Sequence, residues 1–177
     1  RPGTWKIPSP ANSIWAHGYW AWDWANSYEK ILSIDPEKKL IKTEGVNYGF
    51  KKGQRVSYVN VLEELDQPGE YYVDTEEGIL YFWPPTEGKP TGEAFVSELE
   101  TPMIRSSGAS FITFENLTLT ACRGEGITIE QGTAVIITNC RFTNIGSRGA
   151  SISGGAGCMV LNCDFTQTGD GGIYLSG

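Results

Sequence analysis

SFITFENLTLTACRGEGITIEQGTA (110–134), VIITNCRFTNIGSRGASISGGAG (135–157) and CMVLNCDFTQTGDGGIYLSG (158–177) are one pattern written three times. At a spacing of 23 residues Asn116, Asn139 and Asn162 fall in line, as do Leu119, Phe142 and Phe165, Gly126, Gly149 and Gly172, and Ile129, Ile152 and Leu175. A fixed period of this length, filled with short alternating apolar runs instead of helical spacing, predicts stacked coils in which each repeat buries its apolar side on the next. That is an all-β parallel β-helix.

Strand residues alternate sides, and the inward set must be apolar. In the middle coil Val135, Ile137, Cys140, Phe142, Ala150 and Ile152 are read as inward, with Asn139 turning a corner and Thr143 to Arg148 forming a loop. The three Asn residues are expected to stack as a hydrogen-bonded ladder. Val96 stands 23 residues before Leu119, so Phe95 to Leu99 reads as an incomplete first turn. The chain reaches Gly177 part-way through a coil with no polar cap. It is therefore expected to be a piece of a longer protein, and to self-associate through the open end of the β-helix.

The two parts of the sequence differ. All six Trp lie at or before Trp83, and all four Cys lie from Cys122 onward. Pro84-Pro85 and Gly88-Lys89-Pro90 break any regular element, giving a domain at 1–90 and β-helix coils at 91–177. Within 1–90 the pattern predicts a compact antiparallel β-domain. Ile31 to Ile34 and Leu40 to Thr43 are strands joined by an Asp35 to Lys39 turn, and Arg55 to Val61 is a further strand. Leu62 to Leu65 makes one helical turn, and Glu70 to Val73 with Ile79 to Trp83 makes a hairpin.

The net charge is −7, and the repeat carries only Arg105, Arg123, Arg141 and Arg148 as cations. This excludes the basic stripe that nucleic acid requires and disfavours a polyanionic partner. No apolar run reaches membrane-spanning length. His17 is the only histidine and no CxxC pair exists, so neither a metal site nor a cofactor is expected. Cys140 and Cys163 sit one coil apart on an inward line and read as packed free thiols in preference to a disulfide.

Trp20, Trp22 and Trp24 alternate with Ala21 and Asp23, which reads as a strand showing one indole face. They either anchor a small core or form a platform on which sugar rings stack. Asp170 stands among Gly169, Gly171 and Gly172. It is either a turn residue or a functional carboxylate on a loop entering the sheet that shows Thr128, Ser151 and Tyr174 outward. Glu125 with Arg148, and Arg141 with Asp164, read as charge pairs between coils.

His17-Gly18-Tyr19-Trp20 with Asp23-Trp24, Asn60 to Asp66 with Pro68 to Tyr72, Gly78 to Pro85, and Gly169-Asp170-Gly171-Gly172-Ile173 give the chain, along nearly its whole length, a resemblance to bacterial secreted proteins. These are right-handed parallel β-helix proteins of the pectate-lyase-like superfamily, of the glycoside-hydrolase-like type near family 141. The resemblance implies extracellular or periplasmic processing of a polysaccharide or oligosaccharide, glycoside hydrolysis first, with carbohydrate binding without catalysis or a polysaccharide lyase as alternatives. For a hydrolase of this type the groove is expected along the sheet of Thr128, Ser151 and Tyr174, because that sheet shows small outward residues while its neighbour carries Arg141 and Asp164. Asp170 would be a catalytic carboxylate, its partner supplied by a later coil outside the chain, with Tyr174 stacking a ring and Glu125 and Arg148 bonding hydroxyls.

Overall fold

The computed structural model describes residues 4–6, 13–88, 92 and 94–177, and the chain divides into two compact units, Arg1–Thr91 and Gly92–Gly177. The irregular opening at residues 7–12 and the break at Lys89-Pro90 lie outside the described residues.

In the first unit β1 (Trp15–Gly18), β2 (Ser27–Asp35), β3 (Leu40–Thr43) and β4 (Val56–Val59) form an antiparallel sheet in the order β3-β2-β1-β4. The β2–β3 turn falls where Asp35 and Pro36 predict it. The Asp35 carboxylate accepts the Lys38 backbone N–H at 2.9 Å and pairs with the Lys38 ammonium, and these contacts hold its pKa below the usual value. A short 3₁₀ turn (Leu62–Glu64) leads to the predicted hairpin, β5 (Tyr71–Asp74) with β6 (Ile79–Phe82). Trp5, Ile14, Ala16, Ile31 and Val61 make the core, with Trp20 packed against it.

The alternating-Trp strand is not formed. Trp20, Trp22 and Trp24 lie in the connection between β1 and β2. Trp20 turns inward, donating its indole N–H to Ser27 at 3.0 Å, while Trp22 and Trp24 are 49% and 70% exposed. The segment leaves the sheet because Ala25 N–H bonds back to the Trp22 carbonyl, closing a turn where a strand would need ladder partners.

The second unit is a β-solenoid of about three turns with three parallel sheets. One contains β7 (Ile104–Ser107), β10 (Ile127–Glu130), β13 (Arg148–Ser153) and β16 (Gly171–Ser176). The second contains β8 (Thr113–Glu115), β11 (Ile136–Thr138) and β14 (Met159–Leu161), and the third β9 (Thr118–Cys122), β12 (Arg141–Ile145) and β15 (Asp164–Thr168). Each ladder pairs residues 23 apart, as in Ile127 with Ala150 and Phe142 with Phe165, so the sequence period is the coil. Val135, Ile137, Cys140, Phe142, Ala150 and Ile152 are all buried. The Phe142 and Phe165 rings stack with centroids 4.7 Å apart and planes within 9°. The cysteines are free thiols, and burial pushes those of Cys122 and Cys163 up from their ordinary pKa.

Three expectations change. The incomplete first turn at Phe95 to Leu99 forms no strand, Val96 being 79% exposed; the Leu99 carbonyl accepts the Arg123 and Gly124 N–H groups of the next coil, and the first laddered strand is β7. Thr143 to Arg148 is not a loop, because β12 continues to Ile145, which is fully buried. Strict alternation from Phe142 would turn Ile145 outward, but Asn144 adopts φ 53°, and that left-handed residue resets the parity. Finally, Asn116, Asn139 and Asn162 are exposed, and no hydrogen bond joins their amides; Asn139 reaches Glu115 at 3.5 Å.

What the three Asn residues share is left-handed backbone, φ 58°, 52° and 49°, which Asn tolerates better than most residues. Three other lines recur at the same period: Gly108, Gln131 and Gly154; Phe111, Ala134 and Gly157; Ala121, Asn144 and Gln167. Each coil is thus bent by four left-handed positions. Asn139→Leu is expected to destabilise by about 1–2 kcal/mol, the cost of a side chain poorly suited to that backbone. An unchanged denaturation midpoint would remove this account of the corner.

Candidate functional site

On the outward face of β7-β10-β13-β16, alternation sets Ile127 and Ile129 inward and Thr128 and Glu130 outward. Arg105, Thr128, Ser151 and Tyr174 then form one outward file, one residue per coil. Glu125 and Arg148 stand together at the start of the same sheet, one coil apart. Around the two small residues of this file, Thr128 and Ser151, the polar side chains form one network.

Glu125 is its centre. Its side chain is 23% exposed; Thr128 donates to Oε2 at 2.8 Å and Ser151 to Oε1 at 3.0 Å. Ser151 is itself buried, so this bond satisfies a hydroxyl that would otherwise be costly to enclose. Arg148 Nη1 lies 3.8 Å from Glu125 Oε1, and its Nη2 lies 3.1 Å from Asp170 Oδ2. The same guanidinium covers the Tyr174 ring, 4.3 Å from its centroid. One cation is therefore held by two carboxylates and an aromatic face, with Asp170 the most open member at 55% exposure.

Asp170 is held by its turn. Its N–H donates to the Ser147 carbonyl at 3.1 Å, and Gly169 packs on Gly146 of the previous coil so closely that a Cβ there would strike the Gly146 carbonyl. The tight stacking lets the loop aim its carboxylate along the face.

Six residues singled out in the sequence thus converge: Thr128, Ser151, Glu125, Arg148, Asp170 and Tyr174. Trp20, Trp22 and Trp24 belong to the first unit. Tyr174 meets the Arg148 guanidinium on one face, so ring stacking would use its remaining surface; the residue is partly exposed. Arg141 and Asp164 are opposite each other in register, yet no ion pair joins them. Both are exposed and begin strands of another sheet.

Two further pairs escaped the sequence reading. Arg123 meets Glu100 at 2.6 Å, and Arg105 grips both oxygens of Glu130 at 2.9 and 3.0 Å. The first was legible in principle, because Glu100 precedes Arg123 by the same 23 residues that separate Glu125 from Arg148. An open cleft lined by Glu100, Arg123, Glu125 and Ser147 joins this pair to the network.

Fold and face together define a parallel β-solenoid with a polar, ion-paired face along one sheet. Residues 102–177 match the family model described as right handed beta helix region, so this segment is a right-handed β-helix. No curated protein and no solved structure matches the chain.

Proposed function

We propose that the chain is part of a secreted, carbohydrate-active β-helix protein, extracellular or periplasmic, whose groove over β7-β10-β13-β16 binds a polysaccharide and carries out glycoside hydrolysis. The observation that carries this reading is the convergence of Glu125, Arg148, Asp170 and Tyr174 beside the small outward Thr128 and Ser151. Small residues leave room for a sugar, the aromatic ring offers apolar contact, and the paired donors and acceptors suit hydroxyls. Right-handed β-helices are also a common architecture of polysaccharide-degrading enzymes.

Hydrolysis usually needs two carboxylates about 5–5.5 Å apart for retention or 6.5–9.5 Å for inversion. Asp170 is the candidate catalytic carboxylate, being the most open acid of the network. A second reading, glycan binding without turnover, is favoured by one specific contact: the Asp170 carboxylate is committed to Arg148 at 3.1 Å.

A glycan array and a reducing-end assay on the purified chain test both readings. Binding with new reducing ends supports the hydrolase, and binding without them supports the binding module. Unsaturated, ultraviolet-absorbing products would replace both with a lyase. Neither binding nor turnover on any polysaccharide would remove the proposal.

A further inference from the structure

Every arginine on the candidate groove is already occupied. Arg105 is held through Nη2 by both oxygens of Glu130, Arg123 is paired with Glu100, and Arg148 with Asp170 and, at longer range, Glu125. Three cations thus meet four carboxylates, so among the described residues the face has no free cation and carries a slight excess of negative charge.

From this closure we infer that the glycan is uncharged, a polymer of neutral hydroxylated sugars rather than a polyuronate or a sulfated chain. The inference rests on the groove proposed above and names its substrate class.

The chemistry follows from what each ligand would have to displace. A uronate carboxylate that reaches Arg105, Arg123 or Arg148 must either expel the carboxylate tethered on a neighbouring coil or take the remaining N–H groups beside it. In both cases two negative charges crowd one cation, which is unfavourable at these distances. A sugar hydroxyl displaces nothing. A guanidinium has five N–H donors, and one carboxylate uses only some of them, while each carboxylate oxygen keeps a free lone pair. A hydroxyl both donates and accepts, so it can bridge the two halves of an intact ion pair. Arg148 adds a geometric restriction, because one of its faces lies over Tyr174 and is closed to a ligand.

The test is affinity electrophoresis and calorimetry of the whole 177-residue chain with chelator present, so that no divalent cation bridges like charges. The probes are neutral xylan, mannan, arabinan and mixed-linkage glucan, set against polygalacturonate and alginate, each at low and high salt. At least one neutral polymer is expected to bind with little salt dependence, and both acidic polymers to bind at least about tenfold more weakly. The double substitution Glu100→Gln, Glu130→Gln frees Arg123 and Arg105 on exposed positions and is expected to raise polygalacturonate binding several-fold in a salt-sensitive manner. Tighter binding of an acidic polymer by the unmodified chain would overturn the inference while leaving the glycan groove standing. A folded double variant that gains no affinity for polygalacturonate would overturn the ion-pair account of the exclusion. Failure to bind any polymer would remove the groove itself, and the inference with it.

Discussion

Phe142→Ala is expected to destabilise the solenoid by about 3–5 kcal/mol, the usual range for removing a buried aromatic ring from a packed core. Phe142 is fully buried and stacks on Phe165 from the following coil. The packing leaves no room for repair. A Cβ on Gly126 would lie 2.8 Å from the Phe142 ring, and one on Gly149 would collide with Phe165, so glycine sits beneath each ring because nothing larger fits. The hole left by alanine therefore cannot be filled by a neighbouring side chain from below. Phe142→Leu, which keeps most of the volume, should cost about 1.5 kcal/mol or less. Chemical denaturation checks both values. A loss under about 1 kcal/mol for the alanine variant would mean that the aromatic column is not what holds adjacent coils together.

Asp170→Asn should leave the fold nearly intact and remove activity. Its partner Arg148 keeps Glu125 and the Tyr174 face, and the lost ion pair is half-exposed, so the stability change should stay within about 1 kcal/mol. If Asp170 is the catalytic carboxylate, turnover of a responsive glycan should fall roughly 10²–10⁴-fold while binding persists. The measurement is steady-state kinetics beside a melting curve. Full activity in the folded variant would return Asp170 to the role of a turn residue, and simple unfolding would do the same by another route.

Most of the β-helix was readable before any coordinates. In a stack of parallel coils, residues one period apart must touch, so Leu119, Phe142 and Phe165 had to be alike, and their likeness revealed the period, the inward columns and the strands. The same logic brought Glu125 and Arg148 together, since they differ by one coil. In the first unit β3 to β6 and the later part of β2 were legible because local turn chemistry, such as Asp35-Pro36 and the Asp74 to Gly78 closure, marks where the chain reverses, whereas β1 was not read as a strand.

Other features depended on the folded chain. Ile145 faces inward because Asn144 is left-handed, and the corner line of Phe111, Ala134 and Gly157 has the same backbone with three chemically unrelated residues. No residue pattern announces a bend that stacking imposes on whatever occupies it. Trp20, Trp22 and Trp24 alternate like a strand, yet a strand needs partners for its backbone groups, and the turn after Trp22 takes the chain away from them. Likewise Asp170 closes on Arg148, 22 positions away and off the exact period, because the glycine turn lets its carboxylate swing across to the neighbouring column. A repeat specifies which residues share a column, whereas contacts between columns are set by side-chain reach and by how tightly the coils settle on one another.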